Sequence, residues 1–329
     1  MNHRRQLLIA LGSGALVHPL ATIAQQPPAK PRRIGFLTLS NAQTTAAWLA
    51  AFRAGMLALR WTEGRDYVID ARYGNGDLQA GPALAAALVA SAPDLLLMPG
   101  DGPARLVAQL TKTIPVVFTI AQDPIANGLA ASLRQPGGNV TGLTNMGSEL
   151  WPKRLQLLKE AFPRITHAAV LVTPDDVGSV SQAKEIEGAA QRLKLRLSRI
   201  DLRQRADFEP AFKRAAALGV QAYIVTSSGI TISLQQAIAD RLIALKAPSM
   251  FAASQYVEAG GLMSYAASFT DNFRRAAGYV DKIFKGAKPG ELPVQQPTRF
   301  ELVLNLKTAQ AIGVKFPPAV MLQADRVIE

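Results

Sequence analysis

The sequence predicts an α/β protein of two lobes, each a parallel sheet coated by helices on both faces, with a ligand cleft between them. Short apolar runs alternate with amphipathic stretches from residue 34 onward, and the same rhythm restarts after Trp151. Alternation at such spacing implies right-handed crossovers and parallel strands. Pockets gather at domain interfaces, so the space between two similar lobes is the expected site. A chain of 329 residues, 49% hydrophobic and 18% charged, has the size and balance for two such lobes.

The first 26 residues read as an export signal: Arg4 and Arg5 precede an apolar run over 7–17, and Thr22-Ile23-Ala24 offers small residues for cleavage before Gln25. An apolar run of that length is too short to span a bilayer. The paired arginines and the Gly12, Ser13, Gly14 cluster fit a twin-arginine signal, with Leu7 where Phe is commoner. No lipobox cysteine is present, so the expected product is periplasmic and soluble. Residues 25–33, with Pro27, Pro28 and Pro31, form a linker that cannot hold a helix.

Strands are expected over 34–39, 68–73, 95–98, 116–120 and 140–143, with helices over 45–59, 78–90 and 103–110 between them. In the second lobe the expected strands are 168–172, 195–200, 223–226, 249–252 and 262–265. The stretch 118–145 is central: a buried strand, then Gln122-Asp123-Pro124, a helix-like apolar run to Leu133, the turn Pro136-Gly137-Gly138-Asn139, and another strand. Asp before Pro is a usual helix start, so Asp123 either caps alone or caps and also meets a ligand.

In open α/β sheets the carboxyl ends of the strands face the ligand crevice. The candidate ligand-binding residues are therefore Ser40, Asn41, Gly100, Asp101, Thr119, Gln122 and Asp123 in the first lobe, and Asp175, Ser227, Ser228, Ser254 and Tyr265 in the second, with Asp176 beside Asp175. Gly100-Asp101-Gly102-Pro103 stands between a strand and a helix. It reads either as a tight turn or as a place where backbone N–H groups meet an anion such as a ligand carboxylate.

No catalytic signature survives inspection. There is no Gly-x-Ser-x-Gly elbow and no phosphate loop, and Gly74-Asn75-Gly76 lacks a third glycine at dinucleotide spacing. The absence of cysteine removes thiol nucleophiles, disulfides and thiolate metal sites. Of the three histidines, His3 and His18 fall in the signal, so only His167 remains, with a surface or packing role. No metal and no cofactor are expected. Asp175, Asp176 and Asp201 read as caps and solvated turns, and the Asn139-Val140-Thr141 acceptor match is discounted for a bacterial chain.

The net charge of +12 falls to about +10 without Arg4 and Arg5. Basic residues such as Lys153, Arg154, Lys159, Arg274 and Arg275 are spread along helices without interleaved aromatic platforms. A solvated basic surface is expected, and no nucleic-acid partner.

Three blocks resemble one family. They are Asp123-Pro124 through Gly137-Gly138-Asn139-Val140-Thr141-Gly142-Leu143, then Val257-Glu258-Ala259-Gly260-Gly261-Leu262 onward, then Lys285-Gly286 through Leu306-Lys307-Thr308-Ala309. Together they are similar to the ABC-transporter substrate-binding protein family that includes tryptophan-binding members. That resemblance implies a periplasmic binding protein-like I fold: two doubly wound lobes, a three-crossing hinge, and a ligand closed between the lobes. Where many relatives carry acidic or Arg-Glu residues, this chain has Ser227, Ser228, Gly229, Ile230, Ser254 and Gln255, so uncharged hydrogen bonders are expected there.

The resulting expectation is a non-enzymatic solute receptor of an importer, taking a small polar or amphipathic, amino-acid-like or aromatic solute and delivering it to an inner-membrane ABC permease as a monomer. The alternatives are a ligand-sensing domain without transport, and an extracytoplasmic hydrolase. The expected division is 1–24 signal, 25–33 linker, 34–146 with 268–293 as the first lobe, and 147–267 with 294–329 as the second. Crossings are expected near 145–148, 266–268 and 294–296.

Overall fold

The computed structural model describes residues 30–329, so the expected signal and most of the linker lie outside it. The first sheet and its helices are β1 (Arg32–Thr38), α1 (Ala42–Ala58), β2 (Tyr67–Tyr73), α2 (Gly81–Ala90), β3 (Leu95–Met98), α3 (Asp101–Leu110), β4 (Val116–Ala121) and β5 (Val140–Thr144). The second begins with α4 (Trp151–Ala161), β6 (His167–Val172), α5 (Val177–Arg192), β7 (Arg196–Asp201), α6 (Phe208–Ala217) and β8 (Ala222–Val225). It continues with α7 (Gly229–Ser233), α8 (Gln235–Ala244), β9 (Ser249–Phe251), α9 (Ser254–Glu258) and β10 (Met263–Ala266). Last come α10 (Phe269–Phe284), β11 (Glu301–Asn305), α11 (Leu306–Ile312), α12 (Pro318–Met321) and β12 (Arg326–Ile328).

The first sheet runs β2-β1-β3-β4-β5 with every pair parallel. The second runs β12-β11-β10-β9-β8-β6-β7, parallel except where β10 meets β11. Its portion β7-β6-β8-β9-β10 repeats the order of the first sheet. Strands such as Leu95–Met98 and Val116–Ala121 are buried at every position, because helices cover both faces of a parallel sheet.

Helix α10 follows β10 in the chain yet packs on α1 and β4. Its buried Phe269, Phe273, Ala276, Ala277 and Val280 recur at helical spacing and form one apolar stripe. Trp48 of α1 stacks on Phe273 with ring centroids 5.5 Å apart. At Gly55 an added Cβ would collide with the Arg274 carbonyl, so glycine is what lets the two helices approach so closely.

Three segments join the sheets: one after Thr144, one between Ala266 and Phe269, and one after Glu291. The last first runs beside β5, with Gln295 donating to Gly142 O and accepting from Thr144 N, both at 3.0 Å. Arg154 is 1% exposed, so it is not part of the solvated basic surface expected of it. Its guanidinium donates to the carbonyls of Tyr265 at 2.7 Å, Gly147 at 2.6 Å and Ala252 at 2.9 Å, and stacks over Trp151.

Several element boundaries differ from the sequence expectation for identifiable reasons. Helix α1 starts at Ala42, earlier than expected, because Asn41 accepts from Thr44 N at 2.9 Å and caps it. Helix α2 starts late, at Gly81, because Asp77 takes the Gln79 N–H at 2.8 Å in a preceding turn. The helix expected after Pro124 is absent. Leu129 N and Ala130 N both bond to Pro124 O, and Gly128 at φ 69° turns the chain into left-handed backbone, so the run folds as tight turns.

Candidate functional site

In a 2-1-3-4-5 sheet the crossover direction reverses between the first and third strands, and a crevice opens at their carboxyl ends. The first sheet delivers Leu39 there from β1, and Gly100 and Asp101 from β3. In the second, the equivalent reversal between β6 and β8 delivers Asp176 and Gly178, and Ser227 and Ser228. All these residues line one cavity of about 50 Å³, completed by Thr38, Trp48, Ile120 and Gln122 among others. Leu39 lies against Gly229 across the cleft, and Gly76 against Ser233, so the lobes are in contact.

Two wider cavities flank the central one. The first, about 250 Å³, shares Leu39 and Asp176 with it and adds Pro82, Arg105 and Asp175. The second, about 310 Å³, shares Trp48 and adds Gln43, Gln235, Ser254, Gln255 and Phe269. Trp48 thus stands as the wall between the central cavity and the second flank.

The central cavity carries acid and no base: no lysine, arginine or histidine lines it among the described residues. Asp101 is 3% exposed, and its carboxylate accepts from Gln122 N at 2.8 Å and from the Asn127 side chain at 2.9 Å. Burial raises its pKa above the ordinary carboxylate value, the donated N–H groups oppose the rise, and the charge of Asp123 adds to it. Asp176 is half-buried, its open edge facing the first flank. It caps α5 by accepting from Ser179 N at 2.8 Å. Desolvation pushes its pKa up to about 7, with repulsion from Asp101 contributing.

Opposite them, Ser228 caps α7, with Thr231 returning the bond, and its hydroxyl also meets Thr173 at 2.8 Å. The Tyr256 hydroxyl meets Thr231 at 2.8 Å, and burial raises the Tyr256 pKa above the usual phenol value. The Gln122 side-chain oxygen has no hydrogen-bond partner among the described residues, although the residue is 7% exposed.

Five of the sequence-derived candidates, Gly100, Asp101, Gln122, Ser227 and Ser228, come together in the central cavity. Asp175 is exposed and lines the first flank, and Ser254 lines the second. The others stand apart. Ser40 is buried with its hydroxyl on Thr44 at 2.7 Å, and Asn41 is the α1 cap. Thr119 is fully buried in β4, where side chains alternate and its neighbour Ile120 takes the cavity side. Asp123 caps a turn, accepting from Ala126 N at 2.9 Å, and does not line the cavity. The Tyr265 ring packs against Phe300 while its carbonyl serves Arg154.

Trp48 and Gly178 line the cavity and were not among the chosen candidates, and Asp176, named beside Asp175, lines it where Asp175 does not. Asp176 rather than Asp175 is the residue immediately before α5 and caps it, which holds its side chain at the strand end. Trp48 had no usable signal, because a tryptophan inside an amphipathic helix reads as core.

The family model described as ABC transporter substrate binding protein matches residues 49–328. A tyrosine-binding protein of Clostridioides difficile is 21% identical over 255 residues, covering 78% of this chain and 73% of that protein. Among solved structures, a conserved domain protein from Vibrio cholerae superposes with a TM-score of 0.84 at 26% identity, covering 91% of this chain and 100% of that one. An ABC domain in complex with L-Trp from Streptococcus pneumonia superposes with a TM-score of 0.83 at 24% identity, with the same coverage of both chains.

Proposed function

The chain belongs to the ABC transporter substrate binding protein family, and on that premise we propose that it is the extracytoplasmic receptor of an importer, holding an amino-acid-like or aromatic solute between its lobes. The observation that carries this reading is the central cavity, built from strand carboxyl ends of both sheets. A ligand placed there touches both lobes at once, which is what couples capture to closure. The space of about 50 Å³ is far below the roughly 300–1,000 Å³ of ordinary ligand pockets, so a solute of amino-acid size enters only when the lobes part.

Two relatives support the solute class: one is a tyrosine-binding protein and another was solved with L-Trp. The walls fit such a solute. Carboxylates suit its amine, and Trp48 offers a ring face. Within this reading the division into lobes at 34–146 with 268–293, and 147–267 with 294–329, marks the parts that move.

The test is to purify the exported protein and identify by mass spectrometry the small molecules that it retains. An unaltered amino-acid-like solute is expected, and release of a hydrolysed product would overturn the receptor reading. Intact mass of the same material checks export: the expected chain begins at Gln25, and a product still beginning at Met1 would overturn the extracytoplasmic placement.

A further inference from the structure

Two carboxylates approach each other from opposite lobes around Gly178. A Cβ on that glycine would lie 3.1 Å from one Asp101 oxygen and 3.3 Å from one Asp176 oxygen, so the two oxygens are separated by no more than the sum of those distances. Gln122 Cγ is 3.1 Å from the same point, while its amide oxygen is turned toward Gly147. Two carboxylates, one from each lobe, therefore face a small cavity whose lining supplies no cation. An ammonium group has three N–H donors.

We propose that Asp101 and Asp176 form a latch that closes over a single positive charge: a proton when the cleft is empty, and the amine of the solute when it is filled. The inference rests on the receptor reading above and adds the chemical group that the cleft senses. Like charges facing each other, one buried and the other half-buried, cannot both stay ionised at low cost. When the lobes part, each carboxylate regains water and the penalty disappears. The closed empty state therefore binds more protons than the open one, and it weakens as pH rises.

The surroundings of the pair leave this balance to the pair itself. Asp176 faces Asp101 at the start of α3, Gln122 at the end of β4, Ser227 and Ser228 before α7, and the Tyr256 hydroxyl from α9. Asp123 lies close enough to Asp101 to add negative charge. Arg105 and Asp175 line the adjoining flank, and Arg105 forms no salt bridge among the described residues. Burial, with repulsion from Asp101 adding to it, raises the Asp176 pKa above the ordinary carboxylate value, so the response to pH lies above the range of a free carboxylate.

The first experiment needs no ligand. Small-angle scattering of the exported chain, freed of retained solute, is measured at about pH 5.5 and about pH 8.5 for the wild type, Asp176→Asn and Asp101→Asn. The wild type is expected to be compact in acid and expanded in base, and either variant compact at both values, since one carboxylate is then gone. Asn caps α5 about as well as Asp, so Asp176→Asn keeps its fold. An unchanging wild-type radius, or a variant that keeps the wild-type response, overturns the latch. The second experiment titrates L-tyrosine at about pH 7 in two buffers of different ionisation enthalpy. Binding with release of up to about one proton is expected, and binding without release overturns the exchange. Failure of L-tyrosine to bind while the ligand-free pH response persists would count against the amino-acid reading and leave the latch standing.

Discussion

Arg154 donates from Nη1 to the carbonyl of Gly147 at 2.6 Å, tying the first crossing between the lobes to helix α4. The same guanidinium holds the carbonyl of Tyr265, at the end of β10 just before the second crossing, and that of Ala252. Its three partners are neutral oxygens and it forms no ion pair among the described residues, so burial pulls its pKa down to about 9 and it remains charged at neutral pH. Lysine cannot reproduce three diverging donors in one plane. Arg154→Lys is expected to lower stability by about 2 kcal/mol or more, because at least one buried carbonyl loses its donor. Urea denaturation checks this, and a midpoint within error of the wild type would show that the three bonds contribute nothing net.

Asp123→Asn separates a turn cap from a ligand contact. The Asp123 carboxylate caps Ala126 N and stands outside the cavity, and asparagine serves such a turn equally well. Thermal melting should move by less than about 0.5 kcal/mol equivalent, and affinity for any retained solute by less than about threefold. A tenfold weakening in titration calorimetry would place Asp123 against the ligand.

Gly142→Ala probes the junction of β4 and β5. A Cβ there would run into the backbone of Phe118, and the backbone at φ 153° lies where glycine is favoured. The pairing of these strands already shifts between Phe118 and Ala121, so no slack remains. A loss of about 2–4 kcal/mol is expected in chemical denaturation, by overpacking and displaced ladder bonds.

His167 provides a pH marker far from the latch. It is 5% exposed, with Nδ1 facing Arg196 and Nε2 facing Ser198. Burial, then the neighbouring arginine, holds its pKa below the ordinary 6.5. The folded state therefore binds fewer protons there than the unfolded one, and the stability that His167 confers is present above 6.5 and lost as pH falls below it. His167→Gln should flatten that part of the acid side of the stability curve. An unchanged melting profile between about pH 7.5 and about pH 5 in the variant would remove the assignment.

The strands were legible because buried parallel strands are nearly continuous apolar runs, as at Leu95–Met98 and Val116–Ala121. The strand-end rule then located Gly100, Asp101, Ser227 and Ser228 without further help. It also pointed to Asp123, which lies outside the central cavity: Asp-Pro suggests a helix start, and turns replace that helix because Gly128 takes left-handed backbone. Arg154 could not be read at all, since nothing local in a sequence shows that three distant carbonyls converge on one side chain. Thr119 illustrates a finer limit: its β4 strand was expected, but which of two alternating faces meets the cleft is decided by the partner lobe.

The repeated strand order makes the two halves topological counterparts, in which β1 corresponds to β6 and β3 to β8. In that correspondence Asn41, the cap of α1, matches Asp176, the cap of α5, and the Asp101 corner matches Ser227 and Ser228. The scaffold is duplicated while its charge is not: each half carries one acid where its counterpart is neutral. A solute in the cleft therefore meets its negative charge on one side, where Asp101 and Asp176 face each other, and an end-for-end reversal of an asymmetric molecule is no longer equivalent.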